Sequence, residues 1–117
     1  VESDEASIAA AKRNFHDRPN VRLVRARTER ALAAPDLGPV DVVVLDPPRS
    51  GAGAEVIEAI ASRAPRVVAY VACDPAALGR DLATAAAVGY ELDTLRAFDL
   101  FPMTHHVECV AILRPRV

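Results

Sequence analysis

Three short segments place a reactive or ionisable side chain where an apolar run gives way to a loop: DPPRSG at 46–51, VACDP at 71–75 and FDLFPMTHHVE at 98–108. Cys73 ends a β-branched run and is followed by Asp74-Pro75 and a helix start. Amide dipoles at a helix N-terminus favour a thiolate, so this thiol is either a nucleophile or one of the buried structural cysteines common in cores. Glu108 opens a final apolar run after His105-His106, where a carboxylate can face the same edge as Cys73 and serve as a base, or simply be solvated. Asp46 closes the run VDVVVL and precedes Pro47-Pro48. Proline fixes its own φ and restricts the residue before it, so this carboxylate is either preorganised or marks a sharp strand exit.

Other chemistries fit less well. Cys73, His105, His106 and Cys109 match no common zinc spacing, and adjacent histidines in an extended segment point to opposite sides. No G-x-S-x-G elbow supports a serine hydrolase. Cys109 reads as core.

The elements that must position these groups alternate between helix and strand. Ser3 is a candidate cap for a helix with Ile8, Ala11 and Phe15 on one face, ending near Asp17 before Pro19. Residues 21–25 alternate as a strand, and Thr28 is a candidate cap for a short helix through Leu32. Residues 40–45 suit a strand buried on both faces of a parallel sheet. A helix around Val56, Ile57 and Ile60 follows the loop 50–53, and 66–71 is a second buried strand. After Asp74-Pro75 a helix carries Leu78, Leu82 and Ala85 on one side and stops at Gly89. Residues 90–98 and 107–113 read as the last two strands, joined by a loop over 99–106 of the length functional loops have. This order implies an α/β structure with a parallel sheet, and ligands in such sheets sit beyond the strands' carboxyl ends. Asp46 and Cys73 both fall there.

With 117 residues, 51% hydrophobic and 4% aromatic, the chain is one domain at most, with a core of small aliphatic side chains. Fourteen basic and sixteen acidic residues give a net charge of -2, which argues against a cationic nucleic-acid module acting alone. Two cysteines are too few for a disulfide framework, so a reducing cytoplasmic setting is expected. The chain opens on Val1-Glu2 and runs at once into a helix, so it is expected to be cut from something longer.

Taken in order, DPPRSG, VACDPAALGRDL (71–82) and FDLFPMTHHVECVAIL (98–113) resemble the C-terminal catalytic domain of the RNA 5-methyluridine methyltransferases. The resemblance covers nearly all of 1–117. It implies S-adenosylmethionine-dependent methylation of uridine C5 in tRNA or rRNA, with Cys73 as the nucleophile that adds to C6 and Glu108 as the base that removes the C5 proton. Asp46 matches an acidic residue that contacts the target base or organises the site, with a cofactor contact also expected. Pro47, Pro48 and Arg49 would shape the pocket wall, Arg49 contacting RNA phosphate or forming a structural ion pair. Glu2 would take the cofactor's ribose hydroxyls.

The resemblance also implies a Rossmann-like class I sheet of order 3-2-1-4-5-7-6 with an antiparallel seventh strand. This chain is expected to lack the first strand and most of the second. Residues 21–25 would then close against the strand at 40–45, or a second chain would cover that edge, giving a dimer. The glycine-rich cofactor loop is expected upstream of Val1. Arg27 stands where a Gly-Asp pair is common, and Met103 where Gln is frequent. Two readings follow: the catalytic part of an RNA methyltransferase, inactive by itself and needing N-terminal segments for RNA, or a decayed paralogue acting as a noncatalytic folding or interaction unit. A methyltransferase of exocyclic amines fits less well, since it has no need of Cys73.

Overall fold

The computed structural model describes all residues of the chain, Val1–Val117. They form two compact units, Val1–Gly38 and Pro39–Val117.

The first unit holds α1 (Glu5–Asn14), α2 (Thr28–Ala33) and a single 3-10 turn, Pro35–Leu37. Asp4, not Ser3, caps α1, its Oδ2 accepting the Ser7 N–H at 2.7 Å. A carboxylate satisfies an orphan amide as a hydroxyl does and also meets the positive end of the helix. The helix stops at Asn14, short of Asp17, and only Ile8 of the expected apolar face is buried; Phe15 is the residue at which the chain leaves the helix and stays exposed. Thr28 is the first residue of α2 and does not cap it. Arg27 holds the cap position, with no side-chain bond to the helix amides.

Residues 21–25 do not form the expected strand. A strand needs a neighbour to take its backbone groups, and here Glu2 alone supplies one. The Glu2 N–H donates to the Val24 carbonyl at 3.0 Å, and the Ala26 N–H to the Glu2 carbonyl at 3.1 Å, a single parallel bridge between Glu2 and Arg25.

The second unit carries β1 (Val42–Leu45), α3 (Ala54–Ser62), β2 (Val67–Ala72), α4 (Pro75–Ala87), β3 (Tyr90–Phe98) and β4 (Glu108–Pro115). The sheet order is β1-β2-β4-β3, with β1 parallel to β2 and β4 antiparallel to both neighbours. This is the 4-5-7-6 portion of the expected order, with the last strand reversed. β1 ends the sheet. The expectation that 21–25 closes against it is not met, because that segment bridges only Glu2.

Helices α3 and α4 pack on each other and cover one face of the sheet. Ile57, Ile60, Leu78 and Ala85 bury against Val68, Tyr70, Ala111 and Leu113, all 5% exposed or less. The strands record this one-sided burial: β2 and β4 alternate between buried and half-buried residues. Residues 40–45 are therefore not buried on both faces. The strand begins only at Val42, and Val42 and Val44 are 44% and 71% exposed on the face the two helices leave uncovered.

The start and end of α4 follow local chemistry. Asp74 Oδ1 accepts the Ala77 N–H at 2.7 Å, Pro75 sits in the first turn, and Gly89 lies past the helix end at φ 91°.

Candidate active site

Strand register gathers three of the expected site residues. Leu45 pairs with Tyr70, so Asp46 continues β1 level with Val71. Ala72 pairs with Cys109 as the last pair of the antiparallel ladder, and Cys73, in the bend that follows β2, and Glu108, the first residue of β4, each lie one residue past it. Side chains alternate along strands, and residues paired across a ladder share a face. Since Cys109 faces the helices with Leu45, Tyr70 and Ala72, Glu108, its neighbour in β4, is on the opposite, open face, while Asp46 and Cys73 directly follow the last residues of β1 and β2. They cluster at one end of the sheet, the carboxyl ends of β1 and β2 and the start of β4.

Cys73 is half-buried and free, and Glu108 is half-buried. On its other side Glu108 pairs with Phe98, over whose ring the Arg96 guanidinium lies 5.3 Å from the centroid. Asp46 is exposed and Pro47 half-buried. Cys109 is buried, as its core reading requires.

Arg49 has no carboxylate partner. Its Nη2 donates to His106 Nε2 at 3.4 Å, which requires the neutral imidazole with its proton on Nδ1. The His105 and His106 rings do not point to opposite sides as an extended segment would place them. Residues 101–105 turn, with Met103 at φ 62°, and the two rings lie 4.3 Å apart. Phe101 stands edge-on to His106 at 6.4 Å.

Glu2 lies in the other unit, exposed, with Oε1 accepting the Asp4 N–H at 2.8 Å. Arg27, also in that unit, is ion-paired with Glu29 at 2.6 Å.

Sequence reasoning missed a buried network beneath the DPPRSG loop. Asp81, 5% exposed, accepts the Tyr70 O–H at 2.5 Å and the Ala52 N–H at 2.7 Å on Oδ2, and the Gly53 N–H at 3.2 Å on Oδ1. Burial, and then the bond to Asp81, push the Tyr70 phenol well above its ordinary value. The sequence did hold a signal. Asp81 is three residues after Leu78 and four before Ala85, which puts a carboxylate on the apolar stripe of a helix.

A family model described as tRNA (Uracil-5-)-methyltransferase matches residues 25–116. The chain belongs to this family. Among similar members of the wider RNA methyltransferase group, an uncharacterized RNA methyltransferase of Streptomyces avermitilis is 50% identical over 98% of the chain and 27% of its own length. One from Thermotoga maritima is 40% identical over 97% of the chain and 26% of its length. The chain thus spans about a quarter of the length of the curated relatives it matches. Among solved structures, the Pyrococcus abyssi tRNA (uracil-54, C5)-methyltransferase in complex with S-adenosyl-L-homocysteine superposes with a TM-score of 0.73 at 32% identity, covering 95% of this chain and 27% of that one. A Thermoplasma acidophilum structure, at TM-score 0.65 and 16% identity, shares the fold. The uracil-5-methyltransferase family thus adopts here an α/β sheet of the methyltransferase type.

Proposed function

We propose that the chain is the C-terminal part of the catalytic domain of an S-adenosylmethionine-dependent RNA methyltransferase acting on uridine C5 in tRNA or rRNA. The observation that carries this reading is that Cys73 and Glu108 both lie one residue past the Ala72–Cys109 pair at one end of the sheet, in a chain of the uracil-5-methyltransferase family.

Uracil C5 is a weak nucleophile, and covalent catalysis divides the difficulty. Cys73, as thiolate, forms a bond from Sγ to C6, and the displaced ring electrons develop as an enolate over O4 and C5. The methyl group that C5 then takes is the chemistry S-adenosylmethionine supplies when bound. Glu108 removes the C5 proton. The electrons of that C–H bond restore the C5–C6 double bond, the C6–S bond breaks, and the thiolate returns to Cys73. The target base must leave its stack to reach these groups, and Asp46, Pro47 and Arg49 are assigned to receive it.

The donor set fits the cofactor. Glu2 presents an exposed carboxylate of which one oxygen is engaged by Asp4, leaving Oε2 for a ribose hydroxyl. Arg27 carries its charge onto Glu29, so the position where Gly-Asp is common is locally neutralised. Substrate RNA is assigned mainly to the rest of the longer protein, in line with the net charge of -2, and these 117 residues alone are expected to be inactive.

The test is nucleoside mass spectrometry of RNA incubated with the full-length protein and S-adenosylmethionine. The product expected is 5-methyluridine; a methylated exocyclic amine, or unmodified uridine, would sink the reading.

A further inference from the structure

We propose that Asp81 is a positioning residue of this site, its buried carboxylate clamping the 46–53 loop onto α4 and β2 and so fixing Asp46 and Arg49 relative to Cys73. The proposal rests on the functional reading above.

Asp81 is the buried charged residue of the chain. A buried carboxylate persists only when its acceptor capacity is met by donors, and the three donors here come from two different elements. Tyr70 is on β2, three residues before Cys73. Ala52 and Gly53 close the loop that Asp46 opens. Asp81 itself is on α4, the helix that Asp74, directly after Cys73, caps. The carboxylate therefore joins the segment carrying Asp46 and Arg49 to both elements that flank Cys73.

The loop is seated on this group at close range. Gly51, at φ 87°, leaves so little room that a Cβ there would stand 2.8 Å from Asp81 Oδ2. Asp81 faces the helix side of the sheet with Tyr70, whereas Glu108 is on the open face of β4 and Asp46 and Cys73 lie just past the ends of β1 and β2. It acts on the site through the loop and touches no reacting atom.

The chemistry requires a carboxylate rather than merely a polar side chain. Three donors converge on two oxygens. An asparagine offers one acceptor oxygen and an NH2 group, which would meet the Gly53 N–H donor to donor. Asp81→Asn keeps the size of the side chain while removing the shorter of the two Gly53 contacts, 3.2 Å to Oδ1 against 3.4 Å to Oδ2, and so weakens the clamp there, and Tyr70→Phe removes the bond to β2.

The experiment uses the full-length protein. Hydrogen exchange of the segment 49–53 is expected to rise by about tenfold or more in Asp81→Asn while that of α3 and β2 stays as in the wild type. Turnover is expected to fall about tenfold or more, as small misplacements of reacting groups do, while alkylation of Cys73 by a small reagent is unchanged. In an Arg49→Ala background the Asp81→Asn loss should shrink, because both changes act through one loop. Unchanged exchange at 49–53, exchange rising evenly through α3, α4 and β2, or losses that simply multiply would overturn the clamp. A wild type that makes no 5-methyluridine would refute the functional reading alone, and the exchange result would still decide the clamp.

Discussion

Cys73 directly follows the end of β2 and Glu108 opens β4, each one residue beyond the Ala72–Cys109 pair that closes the ladder between these strands. In the proposed mechanism, bond formation at C6 and proton removal at C5 therefore fall to residues at the adjoining ends of two paired strands. With 5-fluorouridine in the target position, the C5 substituent cannot leave as a proton, so the covalent complex should persist through denaturing electrophoresis. Cys73→Ala should form no such complex. If it does, another residue is the nucleophile.

Glu108→Gln separates the two steps. The amide keeps the size of the side chain but cannot accept the C5 proton, so turnover should drop by about 10²–10⁴-fold, the usual range for a lost general base. Cys73 addition is untouched, and a covalent complex should therefore accumulate even on ordinary uridine RNA. Wild-type turnover in this variant would remove Glu108 from the mechanism.

What the sequence revealed, and what it hid, divides along the range of the interaction. Asp46, Cys73 and Glu108 are legible as candidates because each marks a junction between an apolar run and a loop, a local pattern. The helix over 75–87 was bracketed by Asp74-Pro75 and Gly89 for the same reason. The Tyr70–Asp81 bond was not, since it depends on how α4 docks on β2, and no residue spacing states that a tyrosine and an aspartate will meet. Residues 21–25 failed in the opposite way: their alternation suits a strand, but a strand exists only where a partner completes its hydrogen bonds, and Glu2 supplies a single bridge. The doubly buried reading of 40–45 failed because an apolar run reports what could be buried, and here α3 and α4 cover only one face. The loop over 99–106 is legible from its lack of an apolar pattern, but the 4.3 Å approach of the His105 and His106 rings depends on the turn at 101–105, which no residue spacing states.

The final glycine of DPPRSG has two reasons to be glycine, and substitution separates it from an ordinary one. At φ 87°, Gly51→Ala forces a left-handed side-chain residue, costing about 1–2 kcal/mol, and its Cβ collides with Asp81 Oδ2. Gly79 lies within α4 with nothing near its missing Cβ, so Gly79→Ala should stabilise by about 0.5–1 kcal/mol through helix propensity. Denaturant titration of both variants checks the pair; equal effects in the same direction would contradict the seating of the loop on Asp81.

Alkaline pH should expose the burial of the two tyrosines. Burial raises the phenol of Tyr70, with the Asp81 bond adding to it, and burial also raises that of Tyr90, which donates to the Pro65 carbonyl at 2.7 Å. Above the ordinary value of 10.0, the unfolded chain releases protons that the folded chain keeps. The unfolded state then binds fewer protons, so stability falls as pH rises, whereas below that value the full contribution is present. These are the only tyrosines, and the chain has no tryptophan, so tyrosinate absorbance reports on them directly. Tyrosinate should appear together with loss of structure in one cooperative step at a pH above 10.0. Tyr70→Phe should flatten the alkaline decline, and it should also lower stability at neutral pH by about 1.5 kcal/mol, since Asp81 loses one of its donors. A gradual titration centred on the ordinary phenol value, with the structure intact, would show that neither hydroxyl is held as described.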